Sequence, residues 1–409
     1  MLHRIWLGFF VLGLFSALYQ WLGVGDGDVF QRMVKASFDM AALSVELAIG
    51  LVGVLSLWLG IAALGEASGL LAKLANALSP LFARLMPEVP KGHPAIGSMT
   101  LNLSANVLGL DNAATPLGLK AMQDLQSLNP NPDTATNAQI LFLVLNTSSV
   151  TLFPITVLLY RAQLGAADPA LVFIPILIAT SCSTLAGLLV TAWVQKLKLV
   201  DTVVLAYLSL MMGALLALVA YFSSLGVTQL QQQSSLISNL MIFGLIMLFL
   251  LTAHFKHINV YETFIDGAKK GFQVAIDIIP FLLAMLVAIG IFRASGALDI
   301  LLHLVRDGVS LLGMDTRFVD ALPTALMKPL SGSGARAMMV ETMNSYGVDS
   351  FQGLLAATIQ GSTETTFYVL AVYFGSVGIR HGRHALACGL TADIVGIATA
   401  IAVAYWFYG

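Results

Sequence analysis

The sequence predicts an all-α polytopic membrane protein made of two inverted-topology repeats, each with a re-entrant hairpin and an interrupted helix, with about nine transmembrane helices. Three observations lead there. Of 409 residues, 58% are hydrophobic and only 10% are charged, against about 25% charged in soluble domains. Nine apolar runs reach the length of about 20 residues that a bilayer crossing needs. Two further stretches, broken by Gly, Pro, Asn and Ser, recur at the same relative place in the two halves. The charge balance of 20 basic and 22 acidic residues offers no footprint for nucleic acid. The two cysteines, Cys182 and Cys388, read as small buried hydrophobes, too few for a disulfide framework or a metal site.

The apolar runs fall at residues 5–22, 41–64, 138–160, 170–194, 202–225, 236–255, 272–292, 354–376 and 385–408. The first follows Arg4 and lacks a convincing small-x-small cleavage site, so it reads as an uncleaved span. The interrupted stretches, 93–122 and 319–343, have the length to enter part way, turn and return. Such backbone survives at membrane depth only under a cover of protein or beside a water-filled cavity. With Arg4 inside, the Lys and Arg of the connecting segments divide in favour of the cytoplasm. The expected location is the bacterial inner membrane, with the last residues outside.

The halves resemble each other. Residues 65–71 (GEASGLL) match 292–298 (FRASGAL), and 147–153 (TSSVTLF) match 361–367 (GSTETTF). In both the order is span, ASG turn, amphipathic connector, broken hairpin, polar-centred span and final span. The charge-based topology sends the span before Ser68 inward and the span before Ser295 outward, so the repeats are inverted. Inverted repeats with interrupted helices are a recurring transporter architecture, with the site near the midplane.

Polar residues in these segments are the candidate site, because each is costly in hydrocarbon unless it is paired or wet. In the first half they are Asn102, Ser104 and Asn106 of the hairpin, with Asp111 and Asn112 at its tip, and Asn146, Thr147, Ser148 and Ser149 of the broken span. Pro154 removes one backbone donor and crowds the carbonyl four residues back, near Val150. In the second half they are Ser331 and Ser333, between glycines that admit close backbone approach, with Gln360, Ser362, Thr363 and Glu364. Lys328 or Arg336 could pair with Glu364. Glu66 and Arg293 hold matching positions and are expected to be solvated. Glu46, Asp277 and Asp393 also lie in apolar runs, unranked. No cofactor or metal is expected, and no catalytic residue; a coupling ion, Na+ or H+, fits Glu364 or the hydroxyls.

The strings at 87–99 (PEVPKGHPAIGSM), 105–122 (ANVLGLDNAATPLGLKAM) and 145–151 (LNTSSVT) resemble the spore maturation protein A family. Those at 292–298, 328–335 (KPLSGSGA) and 361–368 (GSTETTFY) resemble the spore maturation protein B family. Both belong to the nucleoside-recognition Gate family. The resemblance implies a fusion: an N-terminal span and outer loop at 1–40, a first Gate repeat at 41–200, and a second half at 201–409 with its Gate repeat at 260–409. It implies a secondary transporter, or a component of one, for a small polar solute such as a nucleoside or another metabolite. The expected partners are the lipid bilayer and a small-molecule solute, not nucleic acid, with a homo-oligomer left open. A non-transporting scaffold of the envelope is the alternative. An intramembrane serine hydrolase using Ser333 with His381 or His384 stands further off.

Overall fold

The computed structural model describes residues 2–90, 92–109, 111–148 and 151–409. The first half begins with α1 (Leu2–Tyr19), which a π-helical turn extends to Val24, then the long α2 (Val29–Ala67) and the amphipathic α3 (Leu70–Leu85). A first hairpin follows, α4 (Pro94–Val107) and α5 (Asp111–Gln126), then two short helices in line, α6 (Asn137–Thr147) and α7 (Ile155–Gln163), and α8 (Phe173–Gln195). A linker pair, α9 (Thr202–Ser223) and α10 (Val227–Phe255), leads to the second half. There α11 (Val260–Ala294) and α12 (Ala297–Leu311) precede a second hairpin, α13 (Leu322–Met327) and α14 (Gly332–Tyr346). The broken pair α15 (Phe351–Ser362) and α16 (Thr366–Ser376) and the final α17 (Ala385–Tyr408) complete it. No strand occurs among the described residues beyond one isolated bridge between Thr134 and His381.

Among the described residues seven helices are long and apolar enough to cross a bilayer: α1, α2, α8, α9, α10, α11 and α17. The linker helix α9 shows why water cannot be the solvent: its mean hydropathy is 2.4, yet 6% of its apolar window is buried. An exposed apolar surface of that extent belongs against lipid. The halves α6 and α7, of 11 and 9 residues, are each only about 14–17 Å long. Neither crosses alone; end to end they make one crossing, and α15 with α16 makes another. The total agrees with the nine spans read from the sequence.

Two helices are longer than their apolar runs. α2 has 39 residues and α11 has 35, so each reaches about 50–58 Å. Their charged ends, including Arg32 and Lys35 on α2 and Glu262 and Lys269 on α11, continue the same helical hydrogen bonding beyond the hydrocarbon layer.

The matching motifs build matching parts. Both long helices end on serine and a left-handed glycine, Ser68–Gly69 (φ +70°) and Ser295–Gly296 (φ +73°). Glycine takes that conformation without a Cβ penalty and closes the helix. Both half-helices entering the membrane begin with hydroxyl caps: Thr136 accepts from the Gln139 N–H, and Ser350 from the Gly353 N–H.

The repeats are antiparallel. A β-carbon built on Gly267 would lie 2.5 Å from the Leu59 carbonyl oxygen, one on Gly271 2.5 Å from Ser56 Cα, and one on Gly290 2.5 Å from Met40 Cγ. Residue numbers therefore rise along α11 as they fall along α2. The same holds for α8 and α17, where Gly187 faces Ala392 and Gly396 faces Ser183. Ser183 and Gly396 each stand ten residues before a tryptophan, Trp193 or Trp406. They are equivalent positions that touch, which places the pseudo-twofold axis between them.

Apolar clusters flank this axis. One gathers hairpin α13–α14, α15 and α7; the other gathers hairpin α4–α5, α6 and α16. Naming as inner the side where α1 begins, the first cluster fills the outer half and the second the inner half. The breaks lie between them.

Candidate functional site

Each hairpin is pinned to the break of its own repeat by a backbone hydrogen bond. The Leu152 N–H donates to the Val107 carbonyl at 3.0 Å, and the Phe367 N–H donates to the Pro329 carbonyl at 2.9 Å. The first hairpin turns at Leu108–Gly109, and Gly109 has φ +68°. A β-carbon there would sit 2.4 Å from the Phe153 carbonyl oxygen, so only glycine lets the turn rest on the break. In the second hairpin the Ser331 hydroxyl accepts from the Gly334 N–H at 3.0 Å and caps α14. Gly332 lies against Thr365 Oγ1.

The breaks also meet each other. The Glu364 N–H donates to the Thr147 carbonyl at 2.7 Å, and the Thr147 and Thr366 hydroxyl oxygens are 2.5 Å apart. Small residues of α8 and α17 admit this contact: Gly389 faces the methyls of Thr366 and Thr147, Gly396 faces Thr363, and Gly187 faces Ser148. The Thr184 hydroxyl donates to the Ser148 carbonyl. Thr366 Oγ1 donates to Asp393 Oδ2 at 2.6 Å, and Asp393 is 1% exposed.

A second polar network lies one step toward the inner side. Asn106 Nδ2 donates to Asn146 Oδ1 at 2.9 Å, and the Tyr373 hydroxyl donates to the same oxygen at 3.3 Å. Asn146 Nδ2 donates to the Phe142 carbonyl, and Asn102 Nδ2 to the Ala114 carbonyl, with Tyr373 Oη 3.4 Å from Asn102 Nδ2. Gly118 makes room for the tyrosine: a β-carbon there would sit 2.1 Å from the Tyr373 hydroxyl.

The structure thus gathers Asn102, Asn106 and Asn146 into one network and Thr147, Ser148, Thr363 and Glu364 at the crossing of the breaks. Ser331 and Ser333 sit together at the second tip, 3.2 Å apart. The Ser148 and Ser362 hydroxyls bond back to the carbonyls of Val144 and Ile359, so these groups serve the helix ends. Ser104 is buried, with its hydroxyl unpartnered. Ser149 lies outside the described residues. Gln360 Oε1, Thr363 Oγ1, Asn102 Oδ1 and Asp393 Oδ1 are likewise buried without a hydrogen-bond partner. Unsatisfied buried polar atoms are rare in native structures and mark places where water, an ion or a substrate belongs.

Glu364 does not become the buried carboxylate that its sequence position suggested. Its neighbours Thr363 and Thr365 are buried but its own side chain is exposed. The buried carboxylate is Asp393, which the sequence left level with Glu46 and Asp277; both of those are exposed. Arg293 is only partly exposed rather than freely solvated. It pairs with Glu341 of the second hairpin at 2.5 Å, while Glu66 is exposed. Tyr373 carried no sequence signal, because its partner Asn146 lies 227 residues away. Ser333 and His384 are engaged separately: Ser333 with Ser331, and His384 with Gln195 at 3.0 Å.

Comparison with known proteins agrees with this geometry. A family model described as "Gate: Nucleoside recognition" matches residues 48–163 and 275–380, more than half of the chain. Spore maturation protein B of Bacillus subtilis (strain 168) is 44% identical over 160 residues, 39% of this chain and 88% of the relative. Spore maturation protein A of the same organism is 36% identical over 190 residues, 46% of this chain and 93% of the relative. None of these descriptions names a reaction. Two matched segments, two antiparallel modules and two relatives lead to one conclusion: this multi-pass membrane protein belongs to the Gate family of nucleoside recognition, joining in one polypeptide sequence similar to both spore maturation proteins.

Proposed function

We propose that the protein is a secondary transporter, or the membrane component of one, for a small polar solute of nucleoside-like size and polarity, working in a bacterial inner membrane. The observation that carries this reading is the meeting of two broken helices on the pseudo-twofold axis, each with its own hairpin tip hydrogen-bonded onto the break. Paired interruptions of this kind put free backbone and polar side chains at mid-membrane, where alternating access is achieved by rocking one repeat against the other. Asn and Tyr side chains in the Asn106–Asn146–Tyr373 network both donate and accept, which suits hydroxyl and base edges. Hairpins of a scaffold would be internally satisfied; the orphan atoms of Asn102, Ser104, Gln360 and Thr363 favour a solute site.

The test is flux of labelled nucleosides and other small polar metabolites in proteoliposomes. Asn146→Ala removes the acceptor shared by Asn106 and Tyr373, and its flux is expected to fall by at least about tenfold, the worth of one or two buried hydrogen bonds. Glu364→Gln tests the exposed carboxylate at the break. Wild-type protein that is folded but moves no member of the panel would turn the reading to the scaffold. Equal flux in both variants would remove the site.

A further inference from the structure

We propose that Asp393 is a proton-binding site whose ionised carboxylate ties the two repeats together through Thr366 and Thr147. This rests on the transport reading and names the ion that drives it. Thr366 Oγ1 gives its hydrogen to Asp393 Oδ2 at 2.6 Å. The Thr147 hydroxyl, 2.5 Å from Thr366 Oγ1, is then the donor to Thr366. The result is a directed chain that starts on α6 in the first repeat and ends on a carboxylate in the second. Hydrogen bonds to an ionised acceptor are roughly twice as strong as neutral ones, so the tie holds while Asp393 is charged.

Asp393 Oδ1 is buried and unpartnered, and it is where the proton goes. The Thr363 side chain lies beside the carboxylate, and Gln360 Oε1, one turn earlier, is buried without a partner. The charged groups acting on Asp393 are Lys328 at the second hairpin tip, which attracts the carboxylate, and Glu364 in the second break, which repels it. The elements packed around it otherwise present hydroxyls and small residues: Thr147 on α6, Thr366 on α16 and Ser183 on α8. A metal cation fits poorly where an ammonium already acts and a hydroxyl hydrogen already points at Oδ2. Protonation forms one O–H bond on Oδ1 with a proton taken from water. It neutralises the acceptor, weakens the chain and frees the repeats to rock. The matching position of α8, thirteen residues before its tryptophan, holds Thr180, so the pair of repeats carries one such carboxylate.

The experiment uses the full chain, in nanodiscs and in proteoliposomes. Infrared difference spectra across a pH titration are expected to show, in wild type and in Glu364→Gln, one protonated-carboxyl component beyond those of the other acidic side chains, and that component is missing in Asp393→Asn. Amide protection at 145–148 and 363–368, taken relative to the intrinsic exchange rate at each pH, is expected to fall about tenfold on acidification in wild type. In Asp393→Asn and in Thr366→Val that protection is expected to be low at every pH. With labelled uridine and adenosine as probes, a pH gradient should concentrate solute through wild type and only equilibrate it through Asp393→Asn. Titration spectra of wild type and Asp393→Asn with the same carboxyl components overturn the proposal. So does nucleoside accumulation by Asp393→Asn equal to wild type, although transport itself would then stand. If the band and the exchange respond as expected while neither nucleoside crosses, the proton tie stands and the transport reading falls.

Discussion

Gly109 concentrates several demands on one residue. Its backbone is left-handed, a β-carbon on it would run into the Phe153 carbonyl, and the turn it forms brings Val107 within reach of Leu152. A Gly109→Ala change combines an unfavourable φ with a collision against backbone that has little freedom to shift, at a cost of about 1–3 kcal/mol. The expected outcome is a lower melting temperature in detergent and faster amide exchange at 152–155, with the outer half of the molecule unaffected. His384 supplies a pH test outside the membrane. Gln195 Nε2 can only donate, so His384 Nε2 holds a lone pair. Burial of the ring, helped by the charge of Arg383, keeps its pKa below the usual histidine value of 6.5. A depressed folded-state pKa means that the unfolded chain binds the proton first. The Gln195–His384 clasp therefore contributes above that value and is lost as pH falls through the folded pKa. Amide protection at 381–385, relative to the intrinsic rate at each pH, should fall on acidification in wild type, and His384→Gln should flatten that response.

Among the elements, α2 and α11 depend most on what they lack. Gly267 and Gly271 form a small-xxx-small stripe that brings backbone onto backbone, the arrangement that drives helix association where no hydrophobic gain exists between lipid and protein. A β-carbon on Gly271 would meet Ser56 Cα and the Leu55 carbonyl carbon, at 2.5 and 2.8 Å. Gly271→Ala should therefore push the helices apart and destabilise the fold by about 1–3 kcal/mol, measured as a loss of melting temperature. Gly308→Ala, with open space around its position, should leave the melt unchanged. The broken helices were legible in the sequence because the interruptions are local: Pro154, the Ser331–Gly334 run and the clustered hydroxyls each disturb helical bonding where they stand. The full lengths of α2 and α11 were not legible. Charged ends stop an apolar run but not a helix, whose hydrogen bonds are indifferent to what its side chains carry.

At the scale of the whole molecule the inversion was readable, since loop charges and repeated strings both report sidedness. Which carboxylate would be buried was not. Glu364 and Asp393 both fall within long apolar runs of the sequence, and only the packing of α17 against the breaks separates the exposed one from the enclosed one. Tyr373 escaped for the same reason, as a group from one repeat completing a network in the other. The linker pair α9–α10 then acquires a meaning that its bland composition conceals. Each module traverses the bilayer an odd number of times, three in both cases, and the linker traverses it twice. An odd count followed by an even one leaves an odd total, so the second module enters from the leaflet opposite to the one where the first began, and two similar modules arrive head to foot. Were the linker a single traverse, both modules would insert the same way up, and no rotation in the plane of the lipid could restore their fit. The parity of two otherwise featureless helices thus decides whether the halves of this chain can form one object.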